Sequence, residues 1–152
     1  MNNIIFAHTN ILARDWQSLS QFYIDTFGCK PIFPERNMKG KWIDDMTNIE
    51  GVHIKGIHLA MPGFKNNTPT LEIFSYSHPL DKKRKSQINE IGFTHIAFRV
   101  DNVKEYVDRV LKNGGSFYGK IIEKEIEDVG HLTAVYMRDP EGNIVEIQSW
   151  NN

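Results

Sequence analysis

The sequence predicts an α+β fold built from two copies of one unit, each running strand, helix and then about three strands. A strand-like stretch with a central glutamate, Leu71-Glu72-Ile73, returns near the C-terminus as Val145-Glu146-Ile147. A histidine stands on the first predicted strand of each half, His8 in one and His95 in the other. A helical pattern follows each of these strands. Such self-similarity indicates an internal repeat.

The first unit spans about residues 4–76. Asp15 can cap a helix, and Gly28 can end it in a left-handed conformation. The apolar positions of this helix have the spacing of one buried face: Trp16, Leu19, Phe22, Tyr23 and Phe27. The predicted strands are a run at 4–12, short segments near 31–33 and 42–43, and longer runs at 52–61 and 70–76.

The second unit, about residues 92–150, repeats this order after a polar linker at 77–91. Asp101-Asn102 can cap its helix, and Gly114-Gly115 can end it. The predicted strands lie at 92–100, 117–123, 132–138 and 144–150, with a tight turn at 139–143. By its length we expect the chain, residues 1–152, to be one domain made of two such modules.

The repeated glutamates predict a metal site. Neighbouring side chains of a strand point to opposite faces, so each glutamate lies opposite its flanking aliphatic residues. If the first and last strands of a unit lie side by side, His8 and Glu72 share a face in the first unit. His95 and Glu146 then share the equivalent face in the second unit. Two imidazoles and two carboxylates suit a divalent first-row metal. The alternative for each residue alone is an ordinary hydrogen-bonded histidine or a solvated glutamate.

Composition excludes several classes of partner. A net charge of −1 and a pI near 6.6 give no electrostatic basis for binding nucleic acid or an anionic membrane. The basic run 82–85 lies in the polar linker and is interpreted as a solvated loop. The start, Met1-Asn2-Asn3, lacks the basic region of a signal peptide. The lone Cys29 fits a reducing cytoplasm, so we expect a cytoplasmic protein.

The chain resembles the vicinal oxygen chelate superfamily, which includes glyoxalase I, extradiol dioxygenases and bleomycin-resistance proteins. The matching segments are Ala7-His8-Thr9, Leu71-Glu72-Ile73, Gly92 to Asp101, Lys112 to Gly115, and Asp139 to Ile147. The resemblance implies two βαβββ modules whose curved mixed sheet cups one divalent metal ion, such as Ni, Zn, Co or Mn. It also implies a homodimer that acts on a small molecule.

By this resemblance His8, Glu72, His95 and Glu146 match the four metal positions, a set most similar to that of bacterial glyoxalase I. The implied activity is that of a lactoylglutathione lyase-like isomerase in which Glu72 or Glu146 is the base. A methylmalonyl-CoA epimerase-like enzyme is the first alternative, although those enzymes usually have Gln in place of Glu72. A dioxygenase is a further alternative. A bleomycin-resistance-like binding protein is an alternative of another class, and it predicts no metal.

Two positions depart from the bacterial glyoxalase I pattern. Leu12 stands in place of an Arg, and Tyr76 in place of an Asn, so the usual glutathione contacts are not predicted. Arg99 lies four residues after His95, so the two side chains point to the same face of the predicted strand. Arg99 is predicted to bind an anionic group of the substrate, or else to pair with a surface acid. Phe74, Tyr76 and Trp150 share faces with the glutamates and are predicted to wall a pocket or to pack in the core.

Overall fold

Two mixed β-sheets and three α-helices make up the described part of the chain, residues 4–82 and 84–151 of a computed structural model. The α+β class and the paired βαβββ modules are therefore confirmed. The chain divides into two compact units, Met1–Ile24 with Gly28–Asp81, and Asp25–Phe27 with Lys82–Asn152. The predictions that concern Met1-Asn2-Asn3 and Lys83 lie outside the described residues.

The first unit holds a four-stranded sheet in the order β1-β4-β3-β2. Its elements are β1 (His8–Leu12), α1 (Trp16–Phe27), β2 (Lys30–Lys39), α2 (Lys41–Thr47), β3 (His53–Ala60) and β4 (Thr70–Tyr76). β1 is parallel to β4, whereas β3 is antiparallel to both β2 and β4. The strand predicted at 4–12 is thus confirmed only from His8 onward.

The helix α1 begins after its N-cap residue, Asp15, and ends before its C-cap residue, Gly28, as the sequence predicts. The carboxylate of Asp15 accepts hydrogen bonds from the backbone amides of Gln17 and Ser18, at 3.1 Å each. Gly28 follows the helix with φ 71°, a left-handed conformation that glycine adopts without steric cost. All five apolar positions predicted for this helix are buried.

The segment between β2 and β3 differs from the prediction. The short strand expected near 42–43 is wrong, because these residues belong to α2. Two interactions with residues outside the helix stabilise it: the carboxylate of Asp44 accepts hydrogen bonds from the backbone amides of Gly51 and Val52, and Ile43 is buried in a cluster with Phe74. Strand β2 is longer than the predicted segment because most of its length pairs with β3.

The second unit holds a five-stranded sheet in the order β5-β9-β8-β6, with β7 also paired to β8. Its elements are β5 (His95–Arg99), α3 (Val103–Lys112), β6 (Ser116–Phe117), β7 (Ile122–Ile126), β8 (Gly130–Arg138) and β9 (Ile144–Asn151). Asn102 caps α3 by accepting a hydrogen bond from the backbone amide of Glu105. α3 packs on β8 and β9.

The strand predicted at 117–123 is interrupted. It is divided into β6 and β7, because the backbone amides of Tyr118 and Gly119 both donate to the carbonyl oxygen of Tyr136. Two donors on one acceptor break the regular ladder, as in a β-bulge. The halves of the broken strand still pair with the same neighbour, so the module keeps its βαβββ order.

The register brings the first strand of each unit beside its last, as the sequence predicts. Asn10 lies opposite Glu72 in the parallel pair of β1 and β4, and Ala97 lies opposite Glu146 in the pair of β5 and β9. The faces that oppose the glutamates are apolar, since Leu71, Ile73 and their counterparts Val145 and Ile147 are buried. Each glutamate therefore lies on the face of its sheet that is opposite to these buried aliphatic side chains.

None of the described helices is long and apolar enough to cross a membrane.

Candidate functional site

The first unit places the side chain of His8 against that of Glu72. The Nε2 atom of His8 lies 3.4 Å from Oε2 of Glu72. Glu72 is a buried carboxylate, only 8% exposed, in the middle of strand β4. This is the pair that the strand parity of the sequence predicts for the first half of a metal site.

Two further residues of the first unit contact the same carboxylate. The side-chain amide of Asn10 donates to Oε2 of Glu72 at 3.3 Å, and Nε2 of His58 lies 3.1 Å from Oε1. No local pattern in the sequence defines the face on which His58 lies, because both faces of its strand carry a histidine and apolar residues. The signal that places it is the register of β3 against β4, in which His58 lies directly opposite Glu72. Glu72 is thus surrounded by three polar side chains.

The second unit repeats the pair. The Nε2 atom of His95 lies 3.0 Å from Oε2 of Glu146. Tyr136 lies opposite Glu146 in the pair of β8 and β9, and its ring contacts the ring of His95 at 5.1 Å between centroids. Burial, together with the negative charge of Glu146, raises the pKa of Tyr136. A phenol is protonated at neutral pH in any case, and the raised pKa extends the protonated range of Tyr136 further into the alkaline region.

The environment of His58 favours its neutral form. Burial lowers the pKa of this imidazole, and the cationic guanidinium of Arg36 and the neighbouring imidazole of His8 act in the same direction. The carboxylate of Glu72 opposes them, because an anion stabilises the protonated ring. The imidazole also lies 3.2 Å from the hydroxyl of Thr70 through Nδ1, so both of its ring nitrogens have hydrogen-bond partners.

The donor set in both units fits a divalent first-row metal ion, because imidazole nitrogen and carboxylate oxygen are its usual ligands. A buried carboxylate costs free energy unless a positive charge or hydrogen bonds compensate it. The partners of Glu72 are imidazoles and an amide, so a cation would offset a charge that these groups only partly balance. In the described ranges, however, no group of three or more His, Cys, Asp or Glu side chains is already arranged to hold an ion. The four-residue metal set stays a prediction.

The predicted anion-binding residue, Arg99, is exposed at the end of β5. Its guanidinium donates a long hydrogen bond, 3.4 Å, to the backbone carbonyl oxygen of Trp150. The indole of Trp150 in turn donates to the side-chain oxygen of Gln148. Arg99 and Trp150 are therefore neighbours in the second unit, and their contact with a substrate stays a prediction.

The other two predicted pocket residues lie at the far end of β4. Phe74 belongs to a buried cluster with Ile43, Val52 and Ile54, and Tyr76 packs against that cluster. The ring of Phe74 also contacts the imidazole of His58, with 5.7 Å between centroids. Most of the surface of Phe74 is thus buried in the core. Its contact with a substrate stays a prediction.

Comparison with known proteins places this chain in a family. A family model described as "Glyoxalase/Bleomycin resistance protein/Dioxygenase superfamily" matches residues 5–147. No curated protein matches the sequence significantly.

Several solved structures share the fold. A glyoxalase family protein from Bacillus cereus is 17% identical, with a TM-score of 0.84, and the match covers 100% of this chain and 97% of that one. An integron cassette protein from V. cholerae is 19% identical, with a TM-score of 0.56 and coverage of 99% and 98%. The fosfomycin resistance protein FosX of Listeria monocytogenes, complexed with Mn(II) and sulfate, is 16% identical, with a TM-score of 0.54 and coverage of 99% and 95%. At these identities the likeness establishes the fold alone.

Proposed function

The chain belongs to the Glyoxalase/Bleomycin resistance protein/Dioxygenase superfamily, and we propose that within it the chain is a metal-dependent lyase or isomerase of the glyoxalase I type. The observation that carries this proposal is the histidine–glutamate pair that occurs once in each unit, His8 with Glu72 and His95 with Glu146. A fold could tolerate one such pair by chance. Two pairs at equivalent positions of a repeated module support the proposal that the pairs serve one function.

In this proposal His8, Glu72, His95 and Glu146 together supply the ligands of one divalent ion, Ni, Zn, Co or Mn. When bound, the ion would polarise the carbonyl of the substrate as a Lewis acid. The buried position of Glu72 supports this role, because the positive charge would offset the cost of a carboxylate that is 8% exposed.

The proposed reaction is an isomerisation that the glutamates carry out by general base and general acid catalysis. A carboxylate oxygen of Glu72 or Glu146 accepts the proton from the carbon beside the carbonyl, and the electron pair of the broken C–H bond moves toward the carbonyl oxygen. The same carboxylic acid then returns the proton to the former carbonyl carbon, while the hydroxyl proton of the first carbon passes to the former carbonyl oxygen, so that the C=O group ends on the first carbon. No oxidant or second substrate is required, since the product is an isomer of the substrate.

The substrate of this reaction is proposed to be the adduct of a thiol and a 2-oxoaldehyde, and the thiol need not be glutathione. Leu12, which stands where glutathione-using relatives have an arginine, is an exposed apolar residue at the end of β1. Tyr76 packs against the buried cluster at the end of β4. Arg99, exposed on β5, is the residue we propose to bind an anionic group of the substrate.

Two measurements test this function. Protein purified without chelators is analysed for metal, and we expect about one divalent ion for each set of four ligands. The loaded protein is then assayed with hemithioacetals of methylglyoxal and several thiols, and in parallel with a chiral 2-acyl-CoA. Turnover of hemithioacetals supports the proposal, whereas epimerisation of the acyl-CoA alone replaces it. Binding of small molecules without metal or turnover would overturn it in favour of a sequestering protein.

We also infer a homodimer, which is common in this superfamily. Large apolar side chains are exposed just before the first strand of each unit, Ile4 and Phe6 before β1, and Ile91 and Phe93 before β5. A second copy of the chain could bury such residues. Light scattering coupled to size-exclusion chromatography should give twice the mass of 17.6 kDa, and a monomer at micromolar concentration would contradict this inference.

We propose the cytoplasm as the location, on the support of the free thiol of Cys29, which is buried in the first unit. Unpaired buried cysteines suit a reducing compartment. Fractionation of the native cells tests this assignment, and recovery in the secreted fraction would contradict it.

A further inference from the structure

The imidazole of His58 occupies a position that the sequence did not assign to the site. It lies opposite Glu72 in the antiparallel pair of β3 and β4, and its Nε2 atom lies 3.1 Å from Oε1 of that carboxylate. The other carboxylate oxygen, Oε2, is the one that lies near His8 and Asn10. The two oxygens of Glu72 are therefore used differently.

The hydrogen bonds of His58 define which of its nitrogens carries a proton. An ionised carboxylate only accepts hydrogen bonds, so the Nε2–H of His58 donates to Oε1 of Glu72. In the neutral ring Nδ1 is then the acceptor, and the hydroxyl of Thr70, 3.2 Å away, donates to it. This chain from Thr70 through His58 to Glu72 fixes both the tautomer of the ring and the rotation of the carboxylate.

Comparison of the two units shows that the module itself does not require an imidazole at this position. The residue opposite Glu146 in the second unit is Tyr136. The residue opposite Glu72 on the first strand, Asn10, is likewise replaced by Ala97, whose methyl group cannot donate a hydrogen bond. The imidazole of His58 and the amide of Asn10 are thus specific to the first unit and are not a condition of the βαβββ fold.

We infer that His58 is a positioning residue, which holds Oε1 of Glu72 so that Oε2, on the side of His8, is the oxygen presented to the metal ion. This inference rests on the proposed function, because it assigns a role toward the ion that the function requires. Groups that hydrogen-bond to a metal ligand orient it, and their loss typically weakens metal affinity by about 10- to 100-fold.

The test compares three variants of the full-length protein at one neutral pH. His58→Leu has about the same volume as the native residue and removes the hydrogen bond. His58→Gln keeps an N–H donor at a similar distance from the backbone. His53→Leu is the matched control, since it removes another histidine of β3, whose Nε2 contacts Asn37 rather than a glutamate. Circular dichroism establishes first that each variant is folded.

The first readout is the affinity for Zn(II) or Co(II), measured by competition with a chelating dye. We expect His58→Leu to bind about 10- to 100-fold more weakly than the native protein, and His58→Gln and His53→Leu to stay within about threefold of it. Equal affinity of His58→Leu and the native protein would overturn the inference and leave the proposed function intact. An equal loss of metal affinity in His58→Gln and His58→Leu would also overturn the inference, because the N–H donor that Gln retains would then not be the cause of the native affinity.

The second readout needs no metal. Nitrogen-15 spectra of the imidazole rings in the metal-free protein should show His58 protonated at Nε2, and Glu72→Leu should abolish that preference. If His58 is protonated at Nε2 but the native protein binds no metal, the proposed function is wrong. The hydrogen bond from His58 to Glu72 is then confirmed without a role in metal binding. If the ring is protonated at Nδ1 or mixes both tautomers, the inference about His58 is wrong, whatever the metal affinity.

Discussion

The Nε2 atom of His95 lies 3.0 Å from Oε2 of Glu146, and the two residues occupy adjacent parallel strands of the second unit. His8 and Glu72 have the same relationship in the first unit, at 3.4 Å. A parallel arrangement of first and last strands brings these pairs together in both modules, because residues on one face of neighbouring strands lie side by side. The repeat of the sequence is thus also a repeat of contacts.

Metal binding should stabilise the native protein but not a variant that lacks one of these imidazoles. At a metal concentration 100 times the dissociation constant, we expect the free energy of unfolding to rise by about 2.7 kcal/mol, because the ion binds only the folded state. His95→Ala should lose most of this gain. Urea denaturation with and without Zn(II) measures the difference. The control is His131→Ala, which removes a histidine that contacts Glu125 on β7, and it should respond as the native protein does.

Arg99→Ala should weaken the binding of an anionic substrate by about 10- to 150-fold, because hydrogen bonds to charged groups contribute roughly 1.5–3 kcal/mol and each 1.4 kcal/mol is tenfold. The free energy of unfolding should change by less than about 0.5 kcal/mol, as is usual for exposed positions. Titration calorimetry with a carboxylate-bearing S-lactoyl thioester and with its uncharged analogue measures the effect. Arg109→Ala, on α3, is the control. Equal affinity of native protein and Arg99→Ala for the anionic compound would refute the assignment.

Gly56→Ala should destabilise the first unit by about 2 kcal/mol or more, since overpacking of this kind typically costs 1–3 kcal/mol. A Cβ atom at this position would lie 2.1 Å from the carbonyl oxygen of Ile73 and 2.4 Å from Cδ1 of Phe74. The backbone oxygen cannot move away without breaking the β3–β4 pair. Urea denaturation gives the free energy of unfolding.

The control for this substitution is Gly119→Ala, because a Cβ atom there meets nothing within 4 Å. We expect its free energy of unfolding to stay within about 0.5 kcal/mol of the native value. If Gly56→Ala is as stable as Gly119→Ala, the close approach of Phe74 to β3 is not a feature of the folded protein.

The thiol of Cys29 should resist alkylation as long as the protein is folded. Burial raises its pKa from 9.0 to about 12, which lowers the thiolate fraction at pH 8 about a thousandfold, and the thiolate is the reactive form. Iodoacetamide labelling followed by mass spectrometry should show almost no modification of the native protein and full modification in urea. Rapid labelling under native conditions would show that the thiol is accessible.

The sequence predicted the parts of the fold that depend on local pattern. Asp15 and Gly28 define the ends of α1 by capping and by a left-handed backbone, and both lie close in sequence to the groups they affect. The extended conformation of the strands that carry Glu72 and Glu146 follows from their alternating side chains. Strand parity, together with the assumption that the first and last strands of a unit are neighbours, predicted that each glutamate shares a face with a histidine.

Other features depend on residues that are distant in the chain, and no local pattern records them. Ile43 lies in a helix because it is buried with Val52, Ile54 and Phe74, whereas its immediate neighbours gave a weak strand signal.

His58 illustrates the same limit at the site. By the sequence alone its face on β3 was undetermined, because both faces of that strand carry a histidine and apolar residues. The tertiary structure decided it by pairing β3 with β4 in a register that places His58 opposite Glu72. Register is set by the packing of whole faces and by the intervening turn, so a shift of one residue would have directed this imidazole away from the carboxylate. The sequence thus predicted the histidines and glutamates of the candidate site, and the strand register determined which polar side chains meet each glutamate.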